Sequence, residues 1–169
     1  QPLKPERRDS EYVRKGTCSI FVFTEPLAGW RHLSVEERRT KVDGAHQVRE
    51  LLVVHYPNAG KIKLVMDNET QQPLIVDEAF DPETALNLAK DWKYHYTPKH
   101  GSWLNIAEIE LSVMTRQCLG RRIADVAILR QETGIRESKR NPTQKGVDWQ
   151  FTTDDARTKL KRLYPQFKS

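Results

Sequence analysis

The sequence predicts a mixed α/β domain in which helices cover both faces of a sheet. Along the chain the patterns run hairpin, helix, strand, helix, strand, helix, an order typical of a layered α/β fold. The chain has 169 residues, of which 37% are apolar, enough for one domain with its own core. No internal repeat interrupts the pattern, and we expect one compact domain.

The first half of the chain predicts a hairpin, a helix and a strand. Residues 17–24 are rich in β-branched and aromatic side chains, and residues 25–29 form a turn into a second strand at residues 30–35. Residues 42–55 carry apolar side chains at helical spacing. Residues 61–66 become continuously apolar, as in a strand covered on both faces.

The second half begins with a helix over residues 81–92, which Asp81 caps and Pro82 opens. A strand over residues 93–97 follows at once. Ser102 is placed to cap a helix over residues 103–119 that ends before Gly120. Its predicted inner stripe consists of Ile106, Ile109, Val113 and Cys118 or Gln117.

The last fifty residues predict a helix over residues 123–137, a basic loop over 138–146 and a closing helix over 153–164. The expected organisation is therefore a basic entry segment at residues 1–16, an α/β core at residues 17–122 and a helical extension at residues 123–169.

Composition indicates a basic protein outside the membrane. No run approaches the roughly 20 apolar residues of a spanning helix, and the amino terminus has no apolar signal segment, which favours the cytoplasm. A net charge of +5 favours polyanionic partners. Cys18 and Cys118 belong to no CxxC pair and are predicted to be buried thiols.

Two carboxylates follow predicted strands. Asp67 ends the strand at residues 61–66, and Glu108 lies on the first turns of the helix that comes after the strand at residues 93–97. Acidic oxygens in such a pair can hold Mg²⁺ or Mn²⁺ for phosphoryl transfer. A turn at Asp67 and a solvated helical position for Glu108 are equally simple interpretations. Glu110 does not share the face of Glu108, and periodicity does not decide between them.

Two segments of the sequence are similar to a known protein family: Val65-Met-Asp-Asn68 and His95-Tyr-Thr-Pro-Lys-His-Gly-Ser-Trp-Leu-Asn-Ile-Ala-Glu-Ile-Glu-Leu-Ser112. They resemble the catalytic core of bacterial insertion-sequence transposases of the mariner-related superfamily. The resemblance extends to Gly29-Trp-Arg-His32, Arg38-Arg-Thr-Lys-Val-Asp43, Arg116-Gln-Cys-Leu119 and Val147-Asp-Trp-Gln-Phe-Thr-Thr-Asp-Asp-Ala-Arg157. It implies a ribonuclease H-like mixed sheet flanked by helices and a DDE triad that uses Mg²⁺ or Mn²⁺ to cut DNA and join the freed 3′-hydroxyl to a target.

By position, the resemblance makes Asp67 the middle acid and Glu108 the final acid, both as metal ligands. The first Asp belongs to an opening strand, which we expect to lie before this chain or inside the entry segment. The chain then corresponds to the carboxy-terminal catalytic half of a transposase. Relatives continue after Asn68 with a Leu-Asn-Thr-His-like phrase, whereas this chain has Glu69-Thr-Gln-Gln72. That departure favours the alternative, a non-catalytic DNA-binding or interaction module derived from a transposase.

The resemblance also implies partners: double-stranded DNA, as transposon ends and target, and a second copy of the chain in a homodimer or larger assembly. It implies a bacterial, nucleoid-associated protein. Candidate phosphate contacts with a solvated side chain as the alternative are Arg116, Arg121, Arg122, Lys139 and Arg140. His95, Lys99 and His100 are further candidates, and their alternative is the capping of local backbone groups in the loop. The sequence shows no Cys/His metal cluster, and His46 and His55 are predicted to be structural.

Overall fold

The computed structural model describes residues 16–66, 76–97, 106–143, 145–159 and 161. The strands are β1 (Ser19–Glu25), β2 (Trp30–Glu36), β3 (Ile62–Met66) and β4 (Trp92–Tyr96). The α-helices are α1 (Lys41–Glu50), α2 (Val76–Ala79), α3 (Pro82–Asp91), α4 (Ala107–Met114), α5 (Val126–Arg140) and α6 (Thr153–Lys159). Two π turns, Leu51–His55 and Thr115–Leu119, extend α1 and α4, and a 3₁₀ turn, Asn141–Thr143, follows α5.

The strands form two small sheets, which confirms the mixed α/β class. β1 and β2 pair as an antiparallel hairpin, and β3 and β4 pair in parallel, with two strands in each sheet. The hairpin turn closes where the Gly29 N–H donates to the Glu25 carbonyl at 2.9 Å. Gly29 has φ of 71°, a left-handed conformation that glycine adopts without steric cost.

One core cluster packs the parallel pair against α1 and α3. Val48, Leu52, Leu88 and Trp92 are buried in it, and Phe80 is among the half-buried side chains around them. The start of α3 is as predicted, because Asp81 accepts a hydrogen bond from the Thr84 N–H at 3.0 Å and proline occupies the first turn.

A second core cluster packs α4 against the hairpin through Leu33, Met114 and Cys118. The predicted inner stripe of this helix is confirmed only in part, because Cys118 is buried and Ile106 and Val113 are half-buried, whereas Ile109 is not. Ile109 is 58% exposed, and the buried positions of α4 and its π turn are Glu110, Met114 and Cys118, four residues apart. Glu110 rather than Ile109 lies on the inner side, where its carboxylate forms ion pairs with three arginines.

Several boundaries differ from the sequence predictions. α5 begins at Val126 because Asp125 caps it, accepting from the Ile128 N–H at 2.9 Å, and it runs to Arg140, three residues into the predicted loop. α6 ends at Lys159. Cys18 is half-buried rather than buried. The predicted cap at Ser102 lies outside the described residues.

Candidate functional site

The site begins where the parallel strands end. β3 ends at Met66, which lies opposite Tyr96 of β4, and the Thr97 N–H donates to the Met66 carbonyl at 2.9 Å. The carboxyl ends of the two strands therefore lie at one edge of the sheet. Asp67 is the next residue in the sequence and lies outside the described residues.

A groove of about 690 Å³ separates the two sheets. Four consecutive residues of β1, 22–25, and four of β3, 62–65, line it together with Ile106, Ala107 and Trp149 among others. Successive side chains of a strand point to opposite faces, so consecutive lining residues indicate that each strand turns its edge to the groove. Among the described residues no strand pairs with these edges of β1 and β3, and they share one groove with the start of α4.

Glu108 lies on the first turn of α4, immediately after Ala107 in the groove wall. Its side chain is exposed. Within the described part of the chain it takes part in no ion pair or side-chain hydrogen bond. The carboxylate is therefore accessible to an ion or to solvent beside the groove.

Glu110 has the opposite environment, although it is only two residues further on. Its side chain is 9% exposed and lies 2.5 Å from Arg136, 3.4 Å from Arg31 and 3.8 Å from Arg140. Burial lowers the pKa of Arg31, and the Glu110 carboxylate opposes that shift. These ion pairs fix the rotation of α4 against β2 and α5. Because two residues correspond to about 200° around a helix, they also turn Glu108 outward.

The candidate DNA contacts have different surroundings. His95 is exposed on β4, and Lys99 and His100 lie outside the described residues. Arg121 forms an ion pair with Glu132, and Arg140 belongs to the Glu110 cluster. The remaining candidates are exposed: Arg116, Arg122 and Lys139.

The structure also brings together a group of side chains that sequence reasoning missed. His32 Nδ1 lies 3.2 Å from a Glu137 oxygen, and His32 Nε2 lies 3.9 Å from a Glu50 oxygen. The rings of His32 and His55 have centroids 4.3 Å apart. The hydrogen bond with Glu137 raises the pKa of His32 against the effect of burial, whereas burial and the neighbouring His32 lower the pKa of His55. His55 therefore lies in a group of titratable side chains that its helical spacing did not predict.

The family follows from a comparison with known families. Residues 4–130 match the family model described as DDE superfamily endonuclease. The chain belongs to the DDE superfamily endonucleases. No curated protein and no solved structure matches it. The family match shows that the chain has a DDE transposase-type domain. Nucleases of this family act on DNA and generally use divalent metal ions.

The matched region of this DDE endonuclease ends at residue 130, inside α5. It contains both predicted acids and all of the groove-lining residues except Trp149. The domain limits at residues 16 and 122 stay predictions. Among the described helices of this DDE endonuclease, none is both long and apolar enough to cross a membrane.

Proposed function

We propose that this DDE endonuclease is a transposase catalytic domain that cuts DNA and joins the freed 3′-hydroxyl to a target, with Asp67 and Glu108 as ligands of Mg²⁺ or Mn²⁺. The observation that carries the proposal is the exposed carboxylate of Glu108 at the start of α4, beside a groove also lined by the strand that precedes Asp67. Hard carboxylate oxygens suit these ions. When bound, a pair of such ions activates the attacking oxygen and stabilises the leaving oxygen.

Burial supports Glu108 over Glu110 as the final acid. The carboxylate of Glu110 is neutralised by arginines in the interior and has no access to a DNA strand. Glu108 is exposed and retains its oxygens for a ligand. The charge cluster under α4 has a supporting role here, because it holds the helix in the rotation that presents Glu108.

The groove supports a ribonuclease H-like arrangement. In that arrangement one further strand would lie between β1 and β3, pair with both edges and join the two small sheets into one mixed sheet. The first acid of a DDE triad belongs on such a strand by resemblance. Consecutive residues line both sides of the groove, 22–25 and 62–65, as expected for two strand edges that a central strand would pair with.

Charge supports DNA as the partner. The chain has a net charge of +5, and Arg116, Arg122, Lys139 and His95 are exposed. Such side chains hold phosphates without reading sequence. Transposon ends and target DNA, bound by a homodimer in the bacterial nucleoid, are the partners that the proposal implies.

Calorimetric titration of Mn²⁺ into the chain tests the metal site without requiring the correct DNA. We expect Asp67→Asn and Glu108→Gln each to weaken binding, while Glu83→Gln leaves it unchanged. Glu83 is the matched control because it is also an exposed glutamate in the first turn of a helix, α3. Folded protein whose affinity for Mn²⁺ is the same in all four forms would refute the assignment.

The alternative is a non-catalytic DNA-binding or interaction module, favoured by Glu69-Thr-Gln-Gln72 after Asn68. A nicking assay on supercoiled DNA with Mn²⁺, paired with a gel-shift assay, separates the two functions. A transposase that holds all three acids nicks DNA, and both Asp67→Asn and Glu108→Gln abolish the nicking. DNA binding that persists without nicking, and without any effect of these variants, would establish the module instead.

A further inference from the structure

Two histidines and one glutamate form a cluster that is separate from the carboxylates assigned above. His32, Glu50 and His55 each offer a ligand atom, and these atoms all lie within 4.8 Å of one another. Other metal-ligand groups of this kind are absent from the described residues. The three side chains come from β2, the end of α1 and the end of its π turn.

The π turn is what brings Glu50 and His55 to the same side. They are five positions apart in the sequence, a spacing that places two side chains on different faces of an α-helix. In a π turn the hydrogen bonds run from residue i to i+5, as in the bond of 3.0 Å from the Tyr56 N–H to the Leu51 carbonyl. Residues five apart are then about one turn apart, and such turns often occur at functional sites.

The two imidazoles have nitrogen atoms available. The Nε2 atoms of His32 and His55 are buried, and neither has a hydrogen-bond partner. A buried polar atom without a partner is costly, so an occupant that satisfies it stabilises the fold. On His32 the other nitrogen, Nδ1, is already held by Glu137 at 3.2 Å. A carboxylate on one ring nitrogen of a histidine is the usual support for a metal on the other.

We propose that His32 Nε2, His55 Nε2 and a Glu50 carboxylate oxygen bind a transition-metal ion, Zn²⁺ above all, with Glu137 orienting the His32 ring. Two imidazoles and one carboxylate form a known zinc ligand set that leaves a fourth position for water. Imidazole nitrogens select zinc over magnesium, which distinguishes this site from an all-oxygen centre.

One ligand pair is close to the spacing that zinc requires, and all three ligand atoms lie within 4.8 Å of one another. Tetrahedral ligands at about 2.0 to 2.1 Å from zinc lie about 3.3 Å from one another. His32 Nε2 and the Glu50 oxygen are 3.9 Å apart, so a shift of about half an ångström closes that pair to the tetrahedral spacing. The Glu50 side chain is 43% exposed and has the freedom to make this shift, and its exposed side admits the water ligand.

The site would also tie the fold together. His32 is on β2, Glu50 and His55 belong to the helix beside it, and Glu137 projects from α5 and accepts from the Leu33 N–H at 2.8 Å. Because the unfolded chain does not hold these groups together, bound zinc would stabilise the folded state. The inference holds whether or not the DDE centre cleaves DNA.

Zn²⁺ titration of the chain without an affinity tag, followed by calorimetry, tests the site, and Co²⁺ absorption reports its geometry. We expect one equivalent to bind and to raise the melting temperature. His55→Gln and Glu50→Gln each reduce the affinity by about tenfold or more. The matched control His46→Gln, a helical histidine whose ring packs edge-on against Phe80 at 4.9 Å, leaves binding unchanged.

Two further variants make the result specific. Asp67→Asn with Glu108→Gln leaves Zn²⁺ binding at the cluster unchanged, because these carboxylates belong to the proposed DDE centre. Glu50 is partly exposed, so Glu50→Gln retains the fold if His55→Gln does not, as circular dichroism will show. Equal Zn²⁺ affinity in Glu50→Gln and wild type, or no binding by folded wild-type protein, would overturn the proposal.

Discussion

Replacing Glu110 with glutamine removes one negative charge from the interior and leaves the side-chain volume almost unchanged. In the wild type the carboxylate neutralises Arg31 and Arg136, whose side chains are 7% and 8% exposed. A glutamine oxygen still accepts a hydrogen bond, but its amide N–H₂ then faces a guanidinium donor. The variant therefore retains the shape of the site while leaving two buried cations without a counter-charge.

The expected loss of stability is large. Removing one partner of a buried ion pair costs about 3 to 5 kcal/mol, a substantial part of the roughly 5 to 15 kcal/mol that keeps a domain folded. With a urea dependence of about 2 kcal/mol per molar, the unfolding midpoint falls by about 1.5 to 2.5 M. Urea titration followed by tryptophan fluorescence measures this shift.

Glu108→Gln is the matched control, because it makes the same change two residues away at an exposed position. Its free energy of unfolding should lie within about 0.5 kcal/mol of that of the wild type, as for surface substitutions in general. If Glu110→Gln were as stable as Glu108→Gln, the ion cluster would not be what holds α4. A triple variant with apolar residues at Arg31, Glu110 and Arg136 should recover the stability, since replacing all partners removes the unpaired charge.

Three further predictions concern a buried leucine, a glycine beside the hairpin turn and the cap of α3. Leu88→Ala opens a hole in the core between α3 and the parallel strands and costs about 2 to 5 kcal/mol in urea unfolding, whereas the same change at Leu86, 60% exposed, costs little. Gly146→Ala places a Cβ against a backbone oxygen of the hairpin turn, so hydrogen exchange of the amides beyond residue 146 should speed up. Hydrogen bonds from Thr84 lower the pKa of Asp81 below its usual value, so the helix cap is intact above about pH 4 and lost as the pH falls through the lowered pKa. The urea midpoints of wild type and Asp81→Ala should therefore differ at pH 7 and converge in acid, and a difference independent of pH would contradict this.

Local features were predictable from the sequence because neighbouring residues create them. The hairpin follows from the segment 17–24, rich in β-branched and aromatic residues, and a turn that ends at Gly29, whose left-handed backbone needs no distant contact. Asp81 and Pro82 start α3 in the same way, through a side-chain cap within the first turn. The family was accessible too, because the resemblance rests on contiguous motifs, and the match over residues 4–130 confirms a DDE transposase-type domain.

Which residues face inward was less predictable, and α4 shows why. A pattern of apolar residues predicted Ile109 on the inner face, yet Glu110 is buried because Arg31, Arg136 and Arg140 converge on it from other elements. The free energy of an ion pair depends on partners that no local window contains. Helical periodicity therefore did not predict which of Glu108 and Glu110 faces outward. In the structure Glu108 is exposed and Glu110 is buried.

The sequence by itself determined the strands, the longer helices, their order and the family, because these depend on local propensity and contiguous motifs. Only the tertiary structure decided the rotation of α4, the groove between the sheets and the meeting of His32, Glu50 and His55. The last case depends on a π turn, whose five-residue repeat changes which side chains share a face. That repeat has no signature in the hydrophobic pattern, since it arises where packing, rather than local propensity, determines the hydrogen bonds of the helix end.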